Sequence, residues 1–203
     1  MTKAALQVLS SRLQPGSQVL AVAVADGLEI GNLQFSLFFN SHKVFLFPPI
    51  RCLSACMAKL VAPYGHVFGI THEENTTDFA KAKKTLNSPE ISRLIPPRAY
   101  SFTSVTNPLD GLPEQAPFDA IYVSKAVKGM LVLVCVVIVD AHPQAVSPKW
   151  VSQLKPGGLM SVPLLTEEGN NKQKLMLVEK GFDGSDERIF LDEVPVSFEV
   201  LWV

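Results

Sequence analysis

Val19-Leu20-Ala21-Val22-Ala23-Val24 is a run of six apolar residues, three of them valine. A strand with one solvated face alternates polar and apolar side chains, and this run does not. A continuous apolar run rich in β-branched residues is what parallel strands buried on both faces look like. Upstream, Lys3–Leu13 reads as a short helix whose Leu6, Leu9 and Leu13 form one apolar stripe, ended by Pro15-Gly16. Downstream, Leu53–Val61 is helical by composition, with Lys59 as its only charge, and His66–Ile70 is a short strand. Thr76–Leu86 is a helix with Thr76 or Thr77 as its cap and lysines toward its end. Phe118–Val123 is a further strand, Pro148–Leu154 a short helix with proline in its first turn, and Lys155-Pro156-Gly157-Gly158 a tight turn. Leu159–Leu164, Lys172–Glu179 and Ile189–Val203 are strands, the last two joined by the loop Gly181–Ser185. Strand and helix alternate, then strands follow one another. The expected fold is α/β: a mostly parallel sheet with helices on its faces and a C-terminal antiparallel hairpin. Ligands of such sheets bind beyond the carboxyl ends of the strands, where strand order reverses.

Composition bounds the partners. The 203 residues are of single-domain size, and 47% of them are hydrophobic. Eighteen Lys and Arg stand against nineteen Asp and Glu, with no basic cluster and a pI near 6.4. Nothing here would hold a phosphate backbone or an anionic membrane surface, so neither nucleic acid nor membrane is expected as a partner. Mean hydropathy is +0.22, yet the longest apolar run, Met130–Val139, has ten residues, and a bilayer needs roughly 20. Three cysteines do not make a disulfide scaffold, and the N-terminus lacks a basic-apolar-small signal pattern. A reduced, cytoplasmic, monomeric protein is expected.

Two segments interrupt the plan. Leu28–Arg51 contains FSLFF and VFLFPP, and Lys128–Pro143 contains MLVLVCVVIV. Each lies where an α/β sheet has a short loop. Each is an extra strand or buried loop within one domain spanning 1–203, with atypical insertions at 28–51 and 128–143, or a segment foreign to the functional protein.

Leu154-Lys155-Pro156-Gly157-Gly158 resembles the class I S-adenosylmethionine-dependent methyltransferases, and its flanks narrow the likeness. Ala4–Gly27, Leu53–Glu74, Glu114–Val127 (EQAPFDAIYVSKAV) and Ser147–Val203 follow the order of the protein-L-isoaspartate O-methyltransferase family. APFDAIYV followed by QLKPGGLMSVPL is its most specific part. The resemblance implies a Rossmann-like class I methyltransferase sheet. It implies methyl transfer from S-adenosyl-L-methionine to the carboxylate of isoaspartyl residues in damaged proteins or peptides.

It also implies cofactor-binding positions. The family's first strand leads into a glycine-rich turn of the form VLDVGSGSG, which aligns with Val19–Gly27. Ala21 stands at the aspartate, Ala23 and Ala25 at two glycines, and Gly27 keeps the third. Glycine there lets backbone N–H groups approach a ligand with no Cβ in the way. An alternative alignment takes Lys43–Phe47 as the first strand. The family's GIDH at the end of the second strand aligns with Gly69-Ile70-Thr71-His72, so Thr71 replaces a ribose-holding acid and His72 lies on the cofactor side. Glu73 or Glu74 could compensate. Asn107 retains a carbonyl acceptor for the adenine amino group, and Ser197 in Val194-Pro195-Val196-Ser197 retains a hydroxyl near the cofactor. Family members carry a peptide-gripping segment before the first helix, which is expected to be missing here.

A carboxylate with a pKa near 4 is ionised at neutral pH, so the implied transfer needs no general base. It needs orientation and exclusion of water. This agrees with the lack of any His–Asp or Ser–His pairing, and no catalytic residue is named. Cys52 and Cys56, spaced i, i+4, read as helix packing and not as half of a zinc site, and Cys135 reads as core. Asp119 reads as structural, Trp150 and Trp202 as packing anchors, and Asp110-Gly111 as a turn. Two alternatives stay open: a non-catalytic binding module of the same fold, and a defective variant that has lost its cofactor site. A nicotinamide-dependent dehydrogenase would need GxGxxG after the first strand, which Ala23, Ala25 and Gly27 do not supply.

Overall fold

The computed structural model describes residues 2–22, 36–39, 43–46, 53–73, 80, 83–84, 87–96, 98–124, 126–127, 146–165, 173–194 and 200–201. Its helices are α1 (Thr2–Leu9), α2 (Leu53–Val61), α3 (Pro89–Leu94) and α4 (Pro148–Ser152). Its strands are β1 (Gln18–Val22), β2 (Ser36–Phe39), β3 (Lys43–Leu46), β4 (His66–His72), β5 (Tyr100–Val105), β6 (Phe118–Val123), β7 (Ala126–Val127), β8 (Leu154–Leu165), β9 (Gln173–Lys180), β10 (Asp186–Val194) and β11 (Val200–Leu201).

The main sheet runs β10-β9-β8-β6-β1-β4-β5, with β7 paired to β8 and β11. β1 is central. It lies parallel to β4, with Gln18 opposite His66 and Val22 opposite Ile70, and parallel to β6, with Val19 opposite Ala120. β5 and β8 extend the parallel part outward, and β9 and β10 close the other edge antiparallel. The α/β sheet with a C-terminal antiparallel hairpin is thus the observed fold.

The unbroken apolar run is explained by two core layers. Val19 and Ala21 join a cluster with Leu6, Leu9 and Leu13, and with Met57, Ala58 and Val61 of α2. Leu20 and Val22 join a cluster on the opposite face with Phe118, Ile121, Trp150, Leu154 and Met160. Successive strand side chains point to opposite faces, so a central strand covered on both must be apolar at every position. Each such large side chain contributes roughly 1.5–3 kcal/mol when fully buried.

Several expectations need correction. Lys155–Gly158 does not precede a strand but bulges from within one. Phe118 pairs with Leu154 and Ala120 with Leu159, so the four residues between are looped out of β8. Gly157 has φ +75°, and a Cβ on Gly158 would lie 3.1 Å from the Phe118 carbonyl oxygen. The bulge also aims Lys155 at Asp119. Asp119 Oδ2 accepts from Lys155 Nζ at 2.7 Å and from the Gln18 N–H at 2.7 Å. Asp119 therefore ties the amino ends of β1, β6 and β8, which is the structural role its position suggests. The segment Lys43–Phe47 is not the first strand of the parallel sheet, because β3 pairs with β2 alone in a separate two-stranded sheet. β5 and α3 were not foreseen. The helix expected over Thr76–Leu86 lies mostly outside the described residues, as does all of Lys128–Pro143.

His66 opens β4. Its Nδ1 lies 2.6 Å from the Arg98 carbonyl oxygen and its Nε2 2.8 Å from Ser101 Oγ. A carbonyl only accepts, so neutral His66 carries its proton on Nδ1 and Nε2 accepts from the serine. Burial pushes its pKa below the ordinary histidine value, with the Arg98 carbonyl opposing. As pH falls, the unfolded chain therefore takes up this proton first. Stability is unaffected above about pH 6.5 and declines below it. The fall in melting temperature from about pH 7 to about pH 5.5 is expected to be smaller in His66→Gln than in the natural chain. Equal falls would remove His66 from the acid response.

Candidate functional site

Strand order reverses beside β1. β4 and β5 lie on one side, β6 and β8 on the other, so the switch point falls at the carboxyl end of β1. The exits are pinned to one another. The N–H and Oγ of Ser124 both donate to the Val22 carbonyl oxygen, at 3.1 and 3.2 Å, which fixes the end of β1 to the end of β6. The Glu73 N–H donates to the Val105 carbonyl oxygen at 3.0 Å, and Thr106 Oγ1 lies 3.3 Å from Glu73 Oε2. β4 and β5 thereby stay paired one residue beyond their last strand positions.

Three of the positions singled out in the sequence meet at these exits. Thr71 and His72 end β4, opposite Ser104 and Val105 of β5, and Asn107 follows β5 by two residues. Ala23, Ala25, Gly27 and Ser197 lie outside the described residues. Thr71 is fully buried, and its hydroxyl has no hydrogen-bond partner among the described residues. Leaving a buried hydroxyl unpaired costs about 1–3 kcal/mol, so a native one calls for a reason. His72 is half-buried.

Asn107 is half-buried and caps the 3-10 turn Pro108–Asp110. Its Oδ1 accepts from the Leu109 N–H at 3.1 Å, and its Nδ2 donates to Asp110 Oδ1 at 3.2 Å. An amide oxygen has two lone pairs, so one acceptor position remains. β4 is glycine at Gly69 because Tyr100 and Phe102 of β5 cover it. A Cβ there would collide with the tyrosine hydroxyl and come within 2.7 Å of Phe102 Cδ2.

The chain from Ser147 to Gln153 clasps the loop after β5. Ser147 Oγ donates to the Leu109 carbonyl at 2.7 Å, and Trp150 Nε1 donates to the Pro108 carbonyl at 3.0 Å. Gln153 Nε2 donates to the Asp110 carbonyl at 2.7 Å while its Oε1 accepts from the Leu112 N–H at 2.9 Å. Lys149 Nζ lies 2.7 Å from Asp110 Oδ1. The crossing needs Gly111, whose φ of +68° is left-handed and whose missing Cβ leaves room for the Gln153 amide. Trp150 is fully buried, as a packing anchor should be. The sequence did not disclose Ser147 or Gln153. The Asp110-Gly111 turn was its one signal that something closes there.

Among the described residues, no helix is long and apolar enough to cross a membrane.

Comparison with known proteins adds an independent line. Residues 52–131 match the profile of the family described as protein-L-isoaspartate(D-aspartate) O-methyltransferase. A protein-L-isoaspartate O-methyltransferase of Triticum aestivum is 27% identical over 180 residues, covering 89% of this chain and 58% of the wheat protein. One from a Polaromonas species is 38% identical over 97 residues, which is 48% of this chain and 32% of that protein. The chain thus spans from about a third to three fifths of these two relatives' own length. A solved structure described as a protein-L-isoaspartate O-methyltransferase of Plasmodium falciparum with S-adenosyl-L-homocysteine superposes with a TM-score of 0.55. It is 18% identical, and the match covers all of this chain and 73% of that one, a likeness of fold.

Proposed function

We propose, from the match of residues 52–131 to the protein-L-isoaspartate(D-aspartate) O-methyltransferase profile, that this chain transfers a methyl group from S-adenosylmethionine to isoaspartyl carboxylates of damaged proteins. The observation that carries this reading is the meeting of Thr71, His72 and Asn107 at the carboxyl ends of β4 and β5 beside the switch point, with the buried Thr71 hydroxyl unpaired among the described residues.

Ala23, Ala25, Gly27 and Ser197 are assigned to the cofactor by the alignment alone and lie outside the described residues. Thr71 and His72 would hold the ribose side and Asn107 would offer its remaining lone pair to the adenine amino group. Bound there, S-adenosylmethionine supplies a methyl activated by its sulfonium. The chain holds the two partners in line and excludes water. The substrate carboxylate is already ionised near neutral pH, so no side chain has to move a proton. The reading takes 1–203 as one domain with insertions at 28–51 and 128–143, acting as a monomer in the cytoplasm.

The test is incubation with methyl-labelled S-adenosylmethionine and two peptides that differ only in an isoaspartyl or ordinary aspartyl linkage. Base-labile label is expected on the isoaspartyl peptide alone. Label on neither peptide, or equally on both, would refute the reading.

A further inference from the structure

We propose that Trp150 is a positioning residue for the adenine end of the cofactor site, acting through the Pro108–Asp110 turn with Ser147 as its companion. This rests on the cofactor reading above and extends it to residues that touch no ligand. The turn follows β5 at the site's edge, and its three carbonyls are each taken by a side chain of the clasp: Pro108 by Trp150, Leu109 by Ser147 and Asp110 by Gln153. Packing alone does not call for this. A phenylalanine would fill most of the space of the buried indole, and Ser147 is only half-buried. Three fixed carbonyls hold three successive peptide planes against rotation, so the turn offers one arrangement.

The same clasp decides how Asn107 presents itself. Asp110 Oδ1 accepts from both Asn107 Nδ2 and Lys149 Nζ. A carboxylate only accepts, so it selects the amide orientation with Nδ2 inward and leaves the carbonyl oxygen to the Leu109 N–H and to whatever lies beside it. Freeing the turn frees that orientation. The cost would appear in cofactor affinity and not in the chemical step, because the clasp acts only on the Pro108–Asp110 turn beside Asn107.

The experiment compares Trp150→Phe and Ser147→Ala with the natural chain and, in parallel, in a chain carrying Ala23→Gly and Ala25→Gly. S-adenosylhomocysteine is titrated calorimetrically, and methyl transfer to an isoaspartyl peptide is measured at saturation. The dissociation constant is expected to rise about five- to tenfold in each variant, with KM for S-adenosylmethionine rising in step. KM for the peptide and kcat stay unchanged. In Trp202→Phe, which leaves Trp150 as the sole indole, S-adenosylhomocysteine is expected to shift the emission. If Trp150→Phe does not fold, Ser147→Ala carries the comparison. Affinities within twofold of the parent, or a fall in kcat at constant KM, overturn the proposal. Absence of S-adenosylhomocysteine binding in both parent chains overturns the cofactor reading itself, a result separate from failure of the clasp.

Discussion

Trp150→Ala is expected to lower the unfolding free energy by about 3–5 kcal/mol. In a chain of this length that moves the melting temperature down by roughly 6–20 °C. The indole exposes none of its surface and packs with Phe118, Met160 and Leu154 on one face of the sheet. Truncation removes that burial, leaves a cavity, and takes one of two donors from the Pro108 carbonyl, which keeps the Gly111 N–H at 3.1 Å. Trp150→Phe separates the terms. It keeps most of the volume and loses the N–H, for about 0.5–1.5 kcal/mol, because the Pro108 carbonyl still accepts from the Gly111 N–H. Urea and thermal denaturation followed by circular dichroism measure both. An alanine variant that melts within a degree or two of the parent would mean that α4 is not docked on the sheet as described.

Restoring glycine at two positions after β1 is expected to act in the opposite direction on binding. On the proposed alignment of Val19–Gly27 with the family's glycine-rich turn, Ala23→Gly with Ala25→Gly should tighten S-adenosylhomocysteine at least about tenfold, or 1.4 kcal/mol, since glycine would take two Cβ atoms out of a backbone cradle. The same change should slightly destabilise the free protein, since glycine loses more backbone freedom on folding, at roughly 0.5–1 kcal/mol per site within regular structure. Affinity and stability then move in opposite directions, which a general loosening of the fold cannot produce. Unchanged affinity would show that Val19–Gly27 is not aligned with the family's glycine-rich turn. Ala21 is best left alone: it is fully buried in the cluster containing Met57 and Val67, where an aspartate would have to find a partner.

How much was legible follows from what each segment buries. β1 is readable because a strand covered on both faces must be apolar throughout, β4 and β6 because short apolar cores survive around His66 and Asp119, and α2 has its ends where its composition puts them. β5 was missed because it is the edge strand, with Ser101, Thr103 and Ser104 diluting the pattern. Only the alternation of Tyr100 and Phe102 betrayed it. At Lys155–Gly158 the glycines suit a turn and a bulge alike, and only the register against β6 separates the two. Thr71, His72 and Asn107, proposed from aligned motifs, lie at strand exits, where such motifs are local in sequence. The clasp was invisible for a different reason. Hydrogen bonds between residues some forty positions apart, such as Trp150 to Pro108, leave no periodic trace in either segment.

The central place of β1 bears on how this protein is made. Its residues are made before either neighbour, β4 on one side and β6 on the other, and Gln18 meets Asp119 across 101 residues of sequence. Until Phe118–Val123 has been synthesised, the strand has an open apolar edge with nothing to pair with. Chains dominated by such distant pairings fold slowly and expose sticky surface while they wait. Nascent fragments ending before β6 should therefore be clients of holding chaperones, and complete chains should be released from them.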